Sequence, residues 1–156
     1  MIDSFAGEYE FLSNFYPSEI RGRMFVYKTV EHAFQAQKTT VESQKREITL
    51  ARTPGAAKRL GRQVELRSDW EEIKDAVMLW CLREKFYRDL REVAGNRGLG
   101  QLLLETGNEQ LIEGNTWGDR YWGAEREDGA WQGWNRLGQL LEQVRGELRQ
   151  RSDLLV

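Results

Sequence analysis

One cysteine, one histidine and two prolines are all that these 156 residues hold of three residue types that often organise small proteins. With Cys81 alone, no disulfide can close within the chain. Cys81 and His32 together fall short of the three or four ligands a zinc site needs, so no metal or other cofactor is expected. No run approaches the ~18 apolar residues of a membrane span. The opening residues MIDSFAGEYE show no basic segment followed by an apolar core, so no secretory signal is expected, and the reading is a reduced, cytoplasmic setting. Positive charge is not in excess either: 23 Lys and Arg face 25 Asp and Glu, for a net charge of −2. That excludes a broad surface for phosphate backbones and hence general nucleic-acid binding, whereas a small phosphorylated ligand needs only two or three local cations. The glycine motifs GxGxxG and GxxxxGK are missing, as is GxSxG, and a lone histidine leaves little room for a Ser-His-Asp triad.

What is present fits one domain of 1–156, mainly α with a small β portion (α+β), with no internal repeat or linker. Residues 1–28 read as short extended pieces, ending in a hairpin around Gly22 between Ile20 and Tyr27. Thr29 can cap a helix from Val30 to about Val41, and Lys45 to Arg52 reads as a further helical stretch. Thr53-Pro54 starts another helix, stopped by Gly61. Ser68 and Glu71 stand at capping-box spacing and open what reads as the longest helix, with Ile73, Val77, Met78, Trp80, Cys81 and Phe86 on its buried side. Gly95, Gly98 and Gly100 loosen the next connection, before a short helix from Leu102 to Glu105 that ends at Gly107. Leu111 and Ile112 suggest a brief strand. A last helix from about Asn135 to Arg149 presents Leu137, Leu140, Leu141, Val144 and Leu148 on one face. Four of six tryptophans, Trp117, Trp122, Trp131 and Trp134, fall in a Gly-rich loop before it. Aromatics there either pack down as a lid or wall a pocket for a flat ligand.

Three segments have residues suited to chemistry. On the helix starting at Val30, Glu31, Gln35 and Lys38 fall within about 60° of one another, lining up an acid, an amide and an amine. A solvated helix face would give the same stripe. His32 reads as structural. Lys58, Arg59 and Arg62 gather near a helix C-terminus, where cations either complement the dipole or clamp a phosphate. Asp119, in NTWGDRYWG, is an Asx-turn residue or a carboxylate that steadies positive charge on a sugar.

Taken in order, FLSNFYPSEI (11–20), TVEHAFQAQK (29–38), TPGAAKRLGR (53–62) with SDW (68–70), KDAVMLWCLREKF (74–86), LLLETGNEQLIEGNTWGDRYWG (102–123) and NRLGQLLEQVR (135–145) resemble the YbiA-like, or NADAR, family over most of the chain. The resemblance implies a compact, mainly helical fold and N-glycoside hydrolysis without a metal. One branch of the family acts on phosphoribosylamino-pyrimidine intermediates of riboflavin synthesis, releasing ribose 5-phosphate. Another removes ADP-ribose from modified guanine. The resemblance assigns Glu31 to the family's acidic position, Lys38 to its lysine, and Asp119 and Trp122 to its D-x-x-W-G element. Asn14, Arg62 and Asn135 match the SNF, GR and NRLG pieces. Two departures bear on substrate choice: AEREDGAWQGW between Gly123 and Asn135, where many relatives carry a Gly- and Lys-rich loop, and Trp117, where polar residues are common.

Cleaving a C–N glycoside requires protonating the departing nitrogen and stabilising the sugar's positive charge. The expected catalytic set is Glu31, Asp119 and Lys38. Two carboxylates would suit an oxocarbenium-like path; alternatively Lys38, if neutral, traps C1 of the ring-opened sugar as a Schiff base. Asn14, Gln35, Lys58, Arg62, Trp122 and Asn135 are the expected substrate contacts, with Trp122 stacking on the base and Arg62 and Lys58 on phosphate. The expected partner is a small phosphoribosyl or ADP-ribosyl substrate, a modified guanine in nucleic acid included. The alternative is a non-catalytic ADP-ribose or nucleotide-binding module.

Overall fold

The computed structural model describes residues 1–88 and 98–154; Gly95 lies outside them. They form six α-helices, one 3-10 helix and two antiparallel two-stranded sheets. Contacts along the chain group into two units, Asn14–Lys85 and a second that joins Met1–Ser13 to Phe86–Val156.

In the unit Asn14–Lys85, β1 (Ile20–Arg21) and β2 (Val26–Tyr27) form the hairpin expected around Gly22, with Ile20 opposite Tyr27. Only these two inward residues are buried, as the two-residue period of a strand requires. Thr29 then caps α1 (Val30–Ala36), its hydroxyl accepting the His32 amide at 3.1 Å. The helix stops five residues before the expected Val41. Thr39 is the reason: its Oγ1 accepts the Val41 amide at 3.1 Å and donates to Gln44 Oε1 at 2.8 Å, so a side chain competes with the helical ladder and turns the chain. This frees α2 (Glu42–Thr49) to begin before Lys45. All seven residues of α1 are buried, so the helix is enclosed on every side rather than half solvated.

The start signal at Thr53-Pro54 holds. Thr53 Oγ1 accepts the Ala56 amide at 3.1 Å and Pro54 opens α3 (Pro54–Gly61). At α4 (Trp70–Phe86) the first i→i+4 bond runs from Ile73 to the Asp69 carbonyl, one residue beyond the expected cap at Ser68. Asp69 is held by Arg67 at 2.6 and 3.1 Å. Met78, Cys81 and Phe86 are buried as expected, and Leu82 with them, while Ile73, Val77 and Trp80 are only half-buried.

In the other unit, residues 7–12 form a 3-10 helix with Phe11 and Leu12 buried, where an extended piece was expected. Ile2 bridges Leu111 in parallel, the brief strand foreseen at 111–112. The helix α5 (Leu99–Glu105) starts three residues earlier than expected and ends before Gly107, whose φ of +64° suits glycine. Inside the Trp-rich loop lies a second hairpin, β3 (Glu125–Glu127) and β4 (Ala130–Gln132), that no apolar alternation announces. Asp128-Gly129, both at positive φ, form its turn. The final helix α6 (Arg136–Leu154), at 19 residues, exceeds the 17 of α4, so the longest helix is the last one. Its Leu137, Leu140, Leu141, Val144 and Leu148 are all buried. Arg145, also buried, donates to Thr106 Oγ1 at 2.9 Å just beyond α5.

Candidate active site

Six of the expected site residues belong to the unit Asn14–Lys85. The Glu31 amide donates to the Asn14 carbonyl at 3.1 Å, and one Glu31 carboxylate oxygen accepts from Gln35 Nε2 at 2.8 Å, one helical turn on. Both side chains are buried, 7% and 4% exposed, so this is not a solvated helix face. A buried carboxylate is costly unless hydrogen-bonded, and the Gln35 amide provides one such bond. The Gln35 carboxamide in turn occupies the space beside Gly61 of α3, where a Cβ would collide with its Oε1. Among the described residues Gln35 Oε1 and the buried Oδ1 of Asn14 have no hydrogen-bond partner; Asn14 Nδ2 reaches Met78 Sδ at 3.7 Å.

Lys38 follows the end of α1, half-buried, its carbonyl accepting the Arg67 amide at 2.8 Å. Burial is the main force pushing its amine below the ordinary lysine range. The Glu31 carboxylate opposes that shift, and Arg62 and Lys58 add to it. These four charges therefore share one neighbourhood. Lys58 and Arg62 stand four apart, so their side chains project from the same side of α3. The arrangement joins a buried acid, an amine biased toward its neutral, nucleophilic form, and two cations that could receive a phosphate.

His32 lies deeper, fully buried. Its Nε2 donates to the Ala51 carbonyl at 3.0 Å and its Nδ1 accepts from the Thr29 hydroxyl at 2.8 Å, a neutral ring tying α1 to the segment after α2. Burial lowers its pKa foremost, the Ala51 hydrogen bond opposes this, and Lys28 lowers it further.

Asp119, Trp122 and Asn135 belong to the other unit. Asp119 Oδ1 accepts the amides of Tyr121 at 3.1 Å and Trp122 at 2.9 Å, an Asx-turn arrangement. Trp122 is half-buried, its ring edge-on to Tyr121 at 4.9 Å. Asn135 sits at φ +51°, with Oδ1 accepting the Glu113 amide at 3.0 Å and Nδ2 donating to the Leu111 carbonyl at 2.8 Å. Both ends of its carboxamide thus hold the 111–113 segment beside the start of α6. Of the loop tryptophans, Trp117 and Trp134 are largely exposed and Trp122 and Trp131 half-buried, so the four do not pack down together as a lid.

Two residues escaped the sequence reading. Gly61 looks like a helix stop, yet it lies inside α3 and makes room for Gln35; a buried glycine within a helical pattern is the signal for such an approach. Asn115 is buried and organises the Asp119 turn, its Oδ1 accepting the Asp119 amide at 3.0 Å and its Nδ2 donating to the Asp119 carbonyl at 2.7 Å. An Asn four residues before an Asp carries no distinctive pattern. Among the described residues no group of three or more His, Cys, Asp or Glu side chains could hold a metal ion, and no helix is long and apolar enough to cross a membrane.

The NADAR domain family matches residues 4–149. The N-glycosidase YbiA of Escherichia coli (strain K12) is 38% identical over 93% of this chain and 85% of its own. An N-glycosidase of Nostoc punctiforme is 37% identical over 90% and 86%. A riboflavin biosynthesis protein of Vibrio vulnificus is 34% identical over 90% of this chain but 36% of its own length. The NMR structure of E. coli YbiA superposes with a TM-score of 0.75 at 37% identity, covering 97% of this chain and 89% of that one. With the family model spanning residues 4–149 and both sequence and fold matching YbiA, the chain belongs to the NADAR family.

Proposed function

We propose that this protein hydrolyses the C–N glycosidic bond of a phosphoribosylamino-pyrimidine and releases ribose 5-phosphate. The enzyme class follows from the family and from relatives named N-glycosidases. The choice of a phosphoribosyl substrate draws on the relatives named for riboflavin biosynthesis. The observation that carries the mechanism is Lys38, an amine biased toward neutrality beside a buried carboxylate and two cations.

In this reading Lys58 and Arg62 receive the 5-phosphate, and Glu31 moves the proton. The neutral Lys38 amine adds to C1 of the ring-opened sugar, the C1–N bond to the pyrimidine amine breaks, and that nitrogen leaves carrying the proton supplied through Glu31. Water then hydrolyses the Lys38–C1 imine, freeing ribose 5-phosphate and restoring the amine. Asp119 is assigned to fixing the turn that carries Trp122.

Borohydride tests the central step. Added during turnover, it should reduce the imine and leave a ribose 5-phosphate adduct on Lys38 alone, found by peptide mass, and Lys38→Arg should show neither adduct nor turnover. Full turnover by Lys38→Arg would leave Glu31 with acid–base hydrolysis and no covalent step. An ADP-ribosylated guanosine tried in parallel distinguishes the larger substrate, and binding of either without release would mark a non-catalytic nucleotide-binding module.

A further inference from the structure

A cavity of about 690 Å³ opens beside Gln37, the residue that follows α1. Gln37 lines it, and Gln37 stands six residues after Glu31, about 120° round the helix. None of Glu31, Gln35, Lys38, Lys58 and Arg62 contributes to it. The hairpin β1–β2 and helix α4 supply its walls: Met24 and Phe25 on one side, Ile73, Val77 and Trp80 on the other. This explains why those three positions of α4 are half-buried although the periodicity marks them as core. Met24 is 66% exposed, apolar surface that the fold leaves uncovered.

The polar groups of the cavity carry one sign. At its floor the Tyr27 hydroxyl accepts from Gln37 Nε2 at 3.2 Å. Lys45 Nζ donates to the Ala36 carbonyl at 3.1 Å and to Gln37 Oε1 at 3.4 Å, leaving one of its three N–H groups to spare. At the rim Arg21 is paired with Glu19, but Arg23 pairs with no described residue. No carboxylate lines the cavity, in a chain whose acids outnumber its Lys and Arg. Burial, and Arg67 after it, push the Lys45 amine down, and no acid is among the groups acting on it. The indole N–H of Trp80 has no partner among the described residues. An apolar slot with a few converging donors and unanswered positive charge is the build of a small-ligand site.

We propose that this cavity binds a planar aromatic anion, a ring carrying one acidic group, at a site separate from the Glu31–Lys38 group. The ring would lie between Phe25 and Trp80, and the acidic group would meet Arg23 and the spare N–H of Lys45. Aromatic walls and a guanidinium fork suit that combination.

The full chain, isotope-labelled, can be titrated with 2-naphthoate and with neutral 2-naphthamide while NMR follows the Trp80 indole N–H and the Met24 methyl. We expect naphthoate to saturate at about 1 mM or below, the scale a thirteen-atom ligand reaches, shifting both signals. Arg23→Glu, on an exposed turn and checked for an unchanged melting temperature, should weaken naphthoate by about tenfold or more and the amide far less. Saturating ribose 5-phosphate should not displace the probe, which keeps this result independent of the catalytic reading. Displacement by ribose 5-phosphate, shifts centred on Lys38, equal weakening of both probes by Arg23→Glu, or no saturation would each overturn the proposal.

Discussion

At the scale of single residues, the pair Glu31–Gln35 and the amine of Lys38 make opposite demands on protons. Glu31→Gln keeps the shape and the reach toward Gln35 but removes the titrating group. We expect kcat to fall by ~10²-fold or more, in the range acid–base catalysis contributes, with ligand affinity and melting temperature little changed. Near-normal turnover would end the catalytic assignment. Lys38 makes a pH prediction whose sign follows from its surroundings. Burial, Arg62 and Lys58 favour the neutral amine, so the rise of activity with pH should come below the ordinary lysine range. Removing a neighbouring cation in Arg62→Ala should move that rise to higher pH, and Arg62→Lys should restore it. The same Arg62→Ala should raise KM for a phosphorylated substrate well above its effect on the dephosphorylated one, since a charge-assisted bond is worth ~1.5–3 kcal/mol. A pH–rate profile that did not move would separate Arg62 from Lys38.

At the scale of elements, the loop from Asn115 to Asn135 poses the next question: whether Asp119 acts by charge or by folding its turn. Its Oδ1 already takes two backbone amides. Asp119→Asn retains a carbonyl oxygen for those bonds, whereas Asp119→Ala loses both. If the turn is the role, kcat/KM should survive in the Asn variant and drop ~10-fold or more in the Ala variant as Trp122 loses its setting, since misplaced groups are costly to rate. Equal collapse of both variants would show that the negative charge itself acts. The elements also show what the sequence disclosed. Thr29, Thr53-Pro54 and the leucines of α6 announce their helices because capping and 3.6-residue periodicity are local. The pairing of Glu31 with Gln35 was legible for the same reason, since spacing alone sets which side of a helix a residue occupies, whereas Lys38 lies past the end of α1. The early stop at Ala36 was not, because it depends on Thr39 finding Gln44 in the next helix. The hairpin within 125–132 was hidden by its polar, largely exposed strands, and the full burial of α1 depends on what packs around it. Gly61 shows the limit most directly: glycine was read as a stop, and its consequence is a space that only the approach of Gln35 reveals.

At the scale of the whole molecule, a single histidine makes stability near neutral pH unusually easy to dissect. His32 is the only side chain of its kind in 156 residues, and histidine alone changes charge between pH 6 and 7.5 when unperturbed. Burial, foremost, holds its pKa below the free value, and its two hydrogen bonds are those of the neutral ring. The unfolded chain therefore binds a proton in a range where the folded chain does not. Stability is full above the unfolded histidine value, and is lost as pH falls from there toward the folded value. We expect the melting temperature to decline steadily from pH 7.5 to 6 and the decline to be largely absent in His32→Gln. That variant should also start lower, by ~1–3 kcal/mol for a buried group left unsatisfied, or roughly 2–4 °C per kcal/mol in a chain of this size. Exposed carboxylates do not account for a slope in that window, because their ordinary values lie below it. The lowered amines of Lys38 and Lys45 act instead on the alkaline side, toward the free lysine value. A wild-type slope that persisted unchanged in His32→Gln would show that another group with a perturbed pKa governs acid sensitivity. A flat wild-type profile would show that the His32 ring accepts its proton without giving up the bonds to Thr29 and Ala51.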